Sequence, residues 1–187
     1  MININNEIPS LGELIRRKGG WMIDKALTER LGVTVVDGRK VADGDVVKTI
    51  CGRESRWLDD VIVIGADIPE DVKVFVAYHE YKHYLDYIGR GVVPSNEHSS
   101  VRSSRIEKVC DLYAIRRVVR EMGVSAVEKA IEWMVNYHFQ WDLEHPDDPS
   151  DLLYRAVFLY RFSRRNGLSI DTTVDMEKLQ KSQRWWR

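Results

Sequence analysis

The chain has 187 residues, 44% of them hydrophobic, enough to bury one sizeable core in a single domain spanning 1–187. Its 28 lysines and arginines against 29 aspartates and glutamates leave a net charge of -1, which gives no support for a nucleic-acid-binding surface. No run approaches the roughly 18 apolar residues of a membrane span, and two cysteines, Cys51 and Cys110, are too few for a disulfide framework.

Pro9 and Ser10 open an apolar-periodic segment that Gly19 and Gly20 interrupt; Trp21 to Leu27 restarts a helix, which Gly32 ends. Val33–Val36, Val46–Cys51 and Asp60–Ile64 read as strands, with Gly52–Arg56 as a turn or hairpin tip. The last of these strands, placed at a sheet edge, can hold an extended peptide main chain to main chain. Asp67-Ile68-Pro69-Glu70-Asp71 then starts a helix, with proline near the first turn and acids at the positive end of the helix dipole. This front part covers about 1–68, and the helices that follow cover 69–122.

The first of those helices carries His79-Glu80-Tyr81-Lys82-His83. Two histidines four residues apart share one helical face, about 5–6 Å apart, which lets both imidazoles reach one tetrahedral zinc at roughly 2.0–2.1 Å. Glu80 projects near the same metal without having to bind it. It can take a proton from a metal-activated water and deliver it to a leaving amine. Lys82 sits at an inner position of the motif, and the 100° helical step lets it point to solvent.

A catalytic zinc usually takes three protein ligands and keeps one open position. Gly89 and Gly91 break the first helix, a polar loop covers 92–100, and a second helix is expected from about Ser99 to Met122. It holds Glu107 and Asp111 four residues apart. Glu107 is the expected third ligand, and Asp111, on the same face, is placed to accept the free ring N–H of a zinc histidine and fix its tautomer. His98, in the intervening loop, is the rival third ligand. A third histidine at the metzincin spacing falls on position 89, which is Gly89, so that class is excluded.

His79, Glu80, His83, Glu107 and Asp111 together resemble the pattern of the gluzincin metallopeptidases, and Leu112-Tyr113-Ala114 is similar to the aromatic-alanine ending of ImmA/IrrE-type and HtpX-like peptidases. The resemblance covers residues 57 to 120; Cys110 stands where alanine is common, a small change for a residue that packs as a small hydrophobe. It implies an α+β fold: a small zincin-like domain with a short N-terminal β-sheet, an active-site helix, a glutamate helix and a helical C-terminal half. It also implies one zinc ion and a zinc-dependent endopeptidase acting on a peptide or protein. The family's soluble minigluzincins and ImmA/IrrE-type members fit better than the membrane-embedded HtpX-like ones. A regulatory or interaction protein with a structural or vestigial zinc site is the alternative, set apart by a closed rather than solvent-reachable metal.

The C-terminal part, 123–187, begins after Gly123 with a helix capped by Ser125, whose Val127, Ala130, Ile131, Met134 and Val135 form a core stripe. His145 to Ser150 link it to a helix bearing Leu152, Leu153, Ala156, Val157, Leu159 and Tyr160. In gluzincins a donor from this half steadies the oxyanion, and His138, His145, Tyr154 and Arg155 are the candidates here. Basic clusters such as Arg161 with Arg164 and Arg165 read as solvated faces or helix C-termini. The terminal Gln183-Arg184-Trp185-Trp186-Arg187 is expected to dock on the core, the alternative being contact with a partner or a membrane surface. With no basic and apolar leader in the first seven residues, the expectation is a reduced, cytoplasmic protein with no membrane span.

Overall fold

The computed structural model describes residues 15, 20–41, 56–58, 61–90, 100–144 and 151–172. It is a mixed α and β structure, mostly helical, whose contacts group into two compact units, Met1–Val92 and Val93–Arg187.

In the first unit a short 3-10 turn, Gly20–Met22, leads into helix α1, Lys25–Leu31. Asp24 caps α1 by accepting from the Leu27 amide, and Gly32 ends it at φ 68°, a left-handed conformation that glycine adopts without strain. Strands β1 (Thr34–Asp37), β2 (Arg56–Leu58) and β3 (Val61–Ile64) follow. They form one sheet in the order β1-β3-β2, with β1 parallel and β2 antiparallel to β3. Two strand expectations change. Arg56, expected in a turn, opens β2, and β3, expected as the substrate-binding edge, is the central strand. The physical reason lies in its sequence: Val61, Ile62, Val63 and Ile64 are all buried, and an unbroken apolar run suits a strand covered on both faces, whereas an edge favours alternation. The expected Val46–Cys51 strand lies outside the described residues.

Ile15, Met22, Val36, Val41, Val61 and Val63 pack into one cluster. Gly38 follows β1 where a Cβ would collide with the Ile64 carbonyl, so only glycine lets the two strand ends approach. Helix α2, Lys73–Arg90, starts after a turn in which the Pro69 carbonyl accepts from the Val72 and Lys73 amides. It continues through Gly89, which was expected to break it. Phe75, Val76, Ala77, Tyr78 and His79 are all buried, and the helix contacts β2, β3 and α1.

The start of α2 is tied down by charge. Lys73 Nζ lies 2.7 Å from Asp24, 2.7 Å from Glu70 and 3.7 Å from Asp37. Arg39 grips Asp37 with Nε at 2.9 Å and Nη2 at 2.7 Å, and also bonds Glu70. Hydrogen bonds from Arg39 hold the Asp37 carboxyl below its ordinary range, and Lys73 then Arg39 do the same for Glu70. Burial alone would raise Asp24, but the Leu27 amide and Lys73 outweigh it and lower it. Burial likewise opposes the charge on Lys73, and Asp24 and Glu70 reverse that, leaving it raised.

The signs define a window. Depressed carboxylates contribute stability above their unfolded values of about 4, lost as pH falls through the folded ones; a raised lysine contributes below its unfolded value of about 10.4, lost as pH rises through the folded one. The thermal midpoint should therefore be flat from about pH 5 to 9 and fall below about pH 4, with a shallower acid limb in Asp37→Asn. Circular dichroism melts across pH check this, and a midpoint as high at pH 3 as at pH 7 contradicts it.

The second unit contains α3 (Ser100–Met122), α4 (Val124–Glu144) and α5 (Asp151–Arg165). Gly123, at φ 90°, is the one-residue joint between α3 and α4, so Ser125 lies inside α4 rather than capping it. The expected stripe of Val127, Ala130, Ile131, Met134 and Val135 is buried, together with Cys110, Ala114, Ile115 and Val118 of α3 and Leu153, Ala156 and Leu159 of α5. Side chains of this kind stabilise by about 1.5–3 kcal/mol each for the larger ones when fully buried. After α5 the chain runs back along α4, where Glu128 and Glu132 accept from the Ser169 and Asp171 amides at 2.7 and 2.8 Å. No described helix is long and apolar enough to cross a membrane.

Candidate metal centre

His79 sits on the buried side of α2, 2% exposed, and His83 one turn later is half-buried. The rings meet edge to face with centroids 4.9 Å apart at 69°, and their Nε2 atoms are 3.2 Å apart. Two imidazole nitrogens bound at 2.0–2.1 Å to one tetrahedral zinc lie about 3.3 Å apart. The helix thus presents the pair at a separation that either a shared proton or a shared cation satisfies. Burial of Phe75, Val76 and Tyr78 on the same helix anchors the backbone that carries them. Glu80 follows His79, 100° further round and half-buried. The Lys82 ammonium is drawn to Asp86, one turn on, in an i,i+4 pair.

On α3, Glu107 and Asp111 are likewise one turn apart. Asp111 is fully buried, and burying a carboxylate is costly unless it is paired and hydrogen-bonded. Arg155 of α5 supplies both: its Nε donates to the two carboxylate oxygens at 3.1 and 3.0 Å, and its Nη2 donates to Oδ1 at 2.6 Å. Nη1 of the same guanidinium is 3.9 Å from Glu107 Oε2. One cation therefore spans both carboxylates of the motif. His79, His83 and Glu107 are a group that could hold a metal ion.

The four side chains expected as oxyanion donors have different surroundings. Arg155 is engaged with Asp111 and neighbours Glu107. The Tyr154 hydroxyl accepts from Lys108. His138 is 5% exposed within α4, its ring edge-on to Tyr137. His145 lies outside the described residues, as do His98, Cys51 and the terminal Gln183–Arg187 segment. The partner of Asp111 is the feature that sequence reasoning missed. Asp111 and Arg155 are 44 residues apart, and no local pattern pairs them; the only sign was that a buried acid on a core-facing helix requires a cation. No protein-family model, no curated protein and no solved structure matches this chain.

Proposed function

We propose that this chain is a zinc-dependent endopeptidase of the gluzincin kind, in which His79, His83 and Glu107 hold one zinc ion and Glu80 is the general base. The observation that carries the reading is the Nε2–Nε2 separation of 3.2 Å in a His-Glu-x-x-His helix, supported by Glu107 as the carboxylate of a donor group that could hold a metal ion. Two imidazoles and one carboxylate are a donor set that catalytic zinc uses, with the fourth position left for substrate or water. When bound, the metal polarises a peptide carbonyl and makes water acidic enough to lose a proton near neutrality.

The chain's own groups do the rest. Glu80 takes the proton of the attacking water and passes it to the departing amine, so one carboxylate serves both halves of the reaction. Asp111 accepts a ring N–H of a ligating histidine and fixes its tautomer. Arg155 holds Asp111 in place and, through its approach to Glu107, limits where the third ligand can swing. An extended substrate pairs with the sheet through β2, whose outer side has no partner strand among the described residues. In this reading the fold is zincin-like and the enzyme works in the cytoplasm.

Purified protein should carry about one zinc per chain, and His79→Ala and His83→Ala should each lose it, as measured by plasma mass spectrometry after gel filtration. Stoichiometric zinc retained in both variants removes the basis of the proposal.

A further inference from the structure

Helix α5 has two faces. Leu153, Ala156, Leu159 and Ser163 are buried, while Tyr154, Phe158, Arg161, Phe162 and Arg165 line an open groove of about 380 Å³, together with Lys108 of α3 beside Tyr154. These α5 positions recur at helical spacing, so they form one stripe. The Lys108 ammonium sits 4.1 Å over the Tyr154 ring and 5.6 Å from the Phe158 ring centre, and it donates to the Tyr154 hydroxyl. Among the described residues neither Lys108 nor Arg165 is paired with a carboxylate. The negative end of α5 explains a preference for arginine in its last turn. It does not explain aromatic rings between two cationic positions, nor a lysine from another helix at the far end.

We infer that this groove is a binding site for an acidic, extended peptide segment, with glutamate or aspartate carboxylates on Lys108 and Arg165 and an apolar or aromatic side chain against Phe158 and Phe162. The rise from Tyr154 to Arg165 is about 16 Å, which matches about five residues of extended chain. Arginine forks favour carboxylates bidentately, and the rings add stacking area with little loss of side-chain freedom. The groove adjoins the carboxylate motif in sequence at two points: Lys108 follows Glu107, and Tyr154 precedes Arg155. An acidic segment of a protein substrate is the occupant that this lining selects. Binding itself requires no metal.

Fluorescence anisotropy with a fluorescein-labelled hexapeptide rich in glutamate with one phenylalanine, and with its glutamine counterpart, tests this on the full chain. The glutamate peptide should bind and the glutamine peptide should not. Lys108→Gln and the exposed Arg165→Gln should each weaken binding by roughly tenfold, as expected for loss of a hydrogen bond between charged groups. Far-ultraviolet circular dichroism should be unchanged. Binding should survive chelator and Glu80→Gln, so failure of the peptidase reading leaves it standing. Equal binding of the two peptides, unchanged affinity in both variants, or displacement by inorganic phosphate as effective as by unlabelled glutamate peptide would each overturn the assignment.

Discussion

Glu80→Gln is expected to abolish peptide hydrolysis while leaving zinc content at the parent level. The substitution keeps the size of the side chain and its place on α2 but removes the group that accepts a proton. General base catalysis contributes on the order of 10²–10⁴ in rate, and in the proposed mechanism the same carboxylate also protonates the leaving amine, so both transfers should fail together. Because Glu80 lies 100° round the helix from His79, it does not compete for the position that His79 and His83 share. The measurement pairs a zinc assay with cleavage of an unstructured protein such as casein, followed by mass spectrometry. Zinc retained with activity lost separates metal binding from chemistry. Equal activity in parent and variant means that Glu80 is not the base, and a parent that binds zinc but cleaves nothing favours the structural-site alternative.

The parts legible in the sequence are those that depend on short spacing. His79 and His83 face one side because four residues nearly complete a helical turn, and the structure places their nitrogens within reach of one cation. The core stripe from Val127 to Val135 was legible for the same reason. Strand order was not. Val61–Ile64 reads as a strand from its β-branched run, yet whether it lies at the edge or the centre depends on partners elsewhere in the chain, and Thr34–Asp37 and Arg56–Leu58 take its two sides. An unbroken apolar run with no outward polar residue was the available sign of a central place. The Lys73 and Arg39 network was equally hidden, since it joins residues as far apart as Asp24 and Lys73. So was the Asp111–Arg155 pair, whose two members each had a local reading that did not involve the other.

That pair makes the second large prediction sharper than spacing alone allowed. If Glu107 is the third ligand, Glu107→Ala should weaken zinc far more than His98→Ala, since it removes both a bond and a negative charge from the metal. Asp111→Ala should give a defect of roughly 10–100-fold in affinity or activity, as expected for a group that orients a ligand. Arg155→Leu leaves a fully buried carboxylate without its main cation, a loss of about 3–5 kcal/mol in stability when one partner of a buried pair is removed. Replacing both members, Asp111→Leu with Arg155→Leu, removes that burial cost and should recover much of the stability. It should not recover zinc affinity or activity if the pair positions the metal ligands. Chelator competition ranks the zinc sites, and thermal melts rank the stabilities. His98→Ala as the weakest binder would sink the Glu107 assignment while leaving zinc binding intact, whereas full recovery of metal affinity in the double variant would show that Asp111 and Arg155 serve the fold alone.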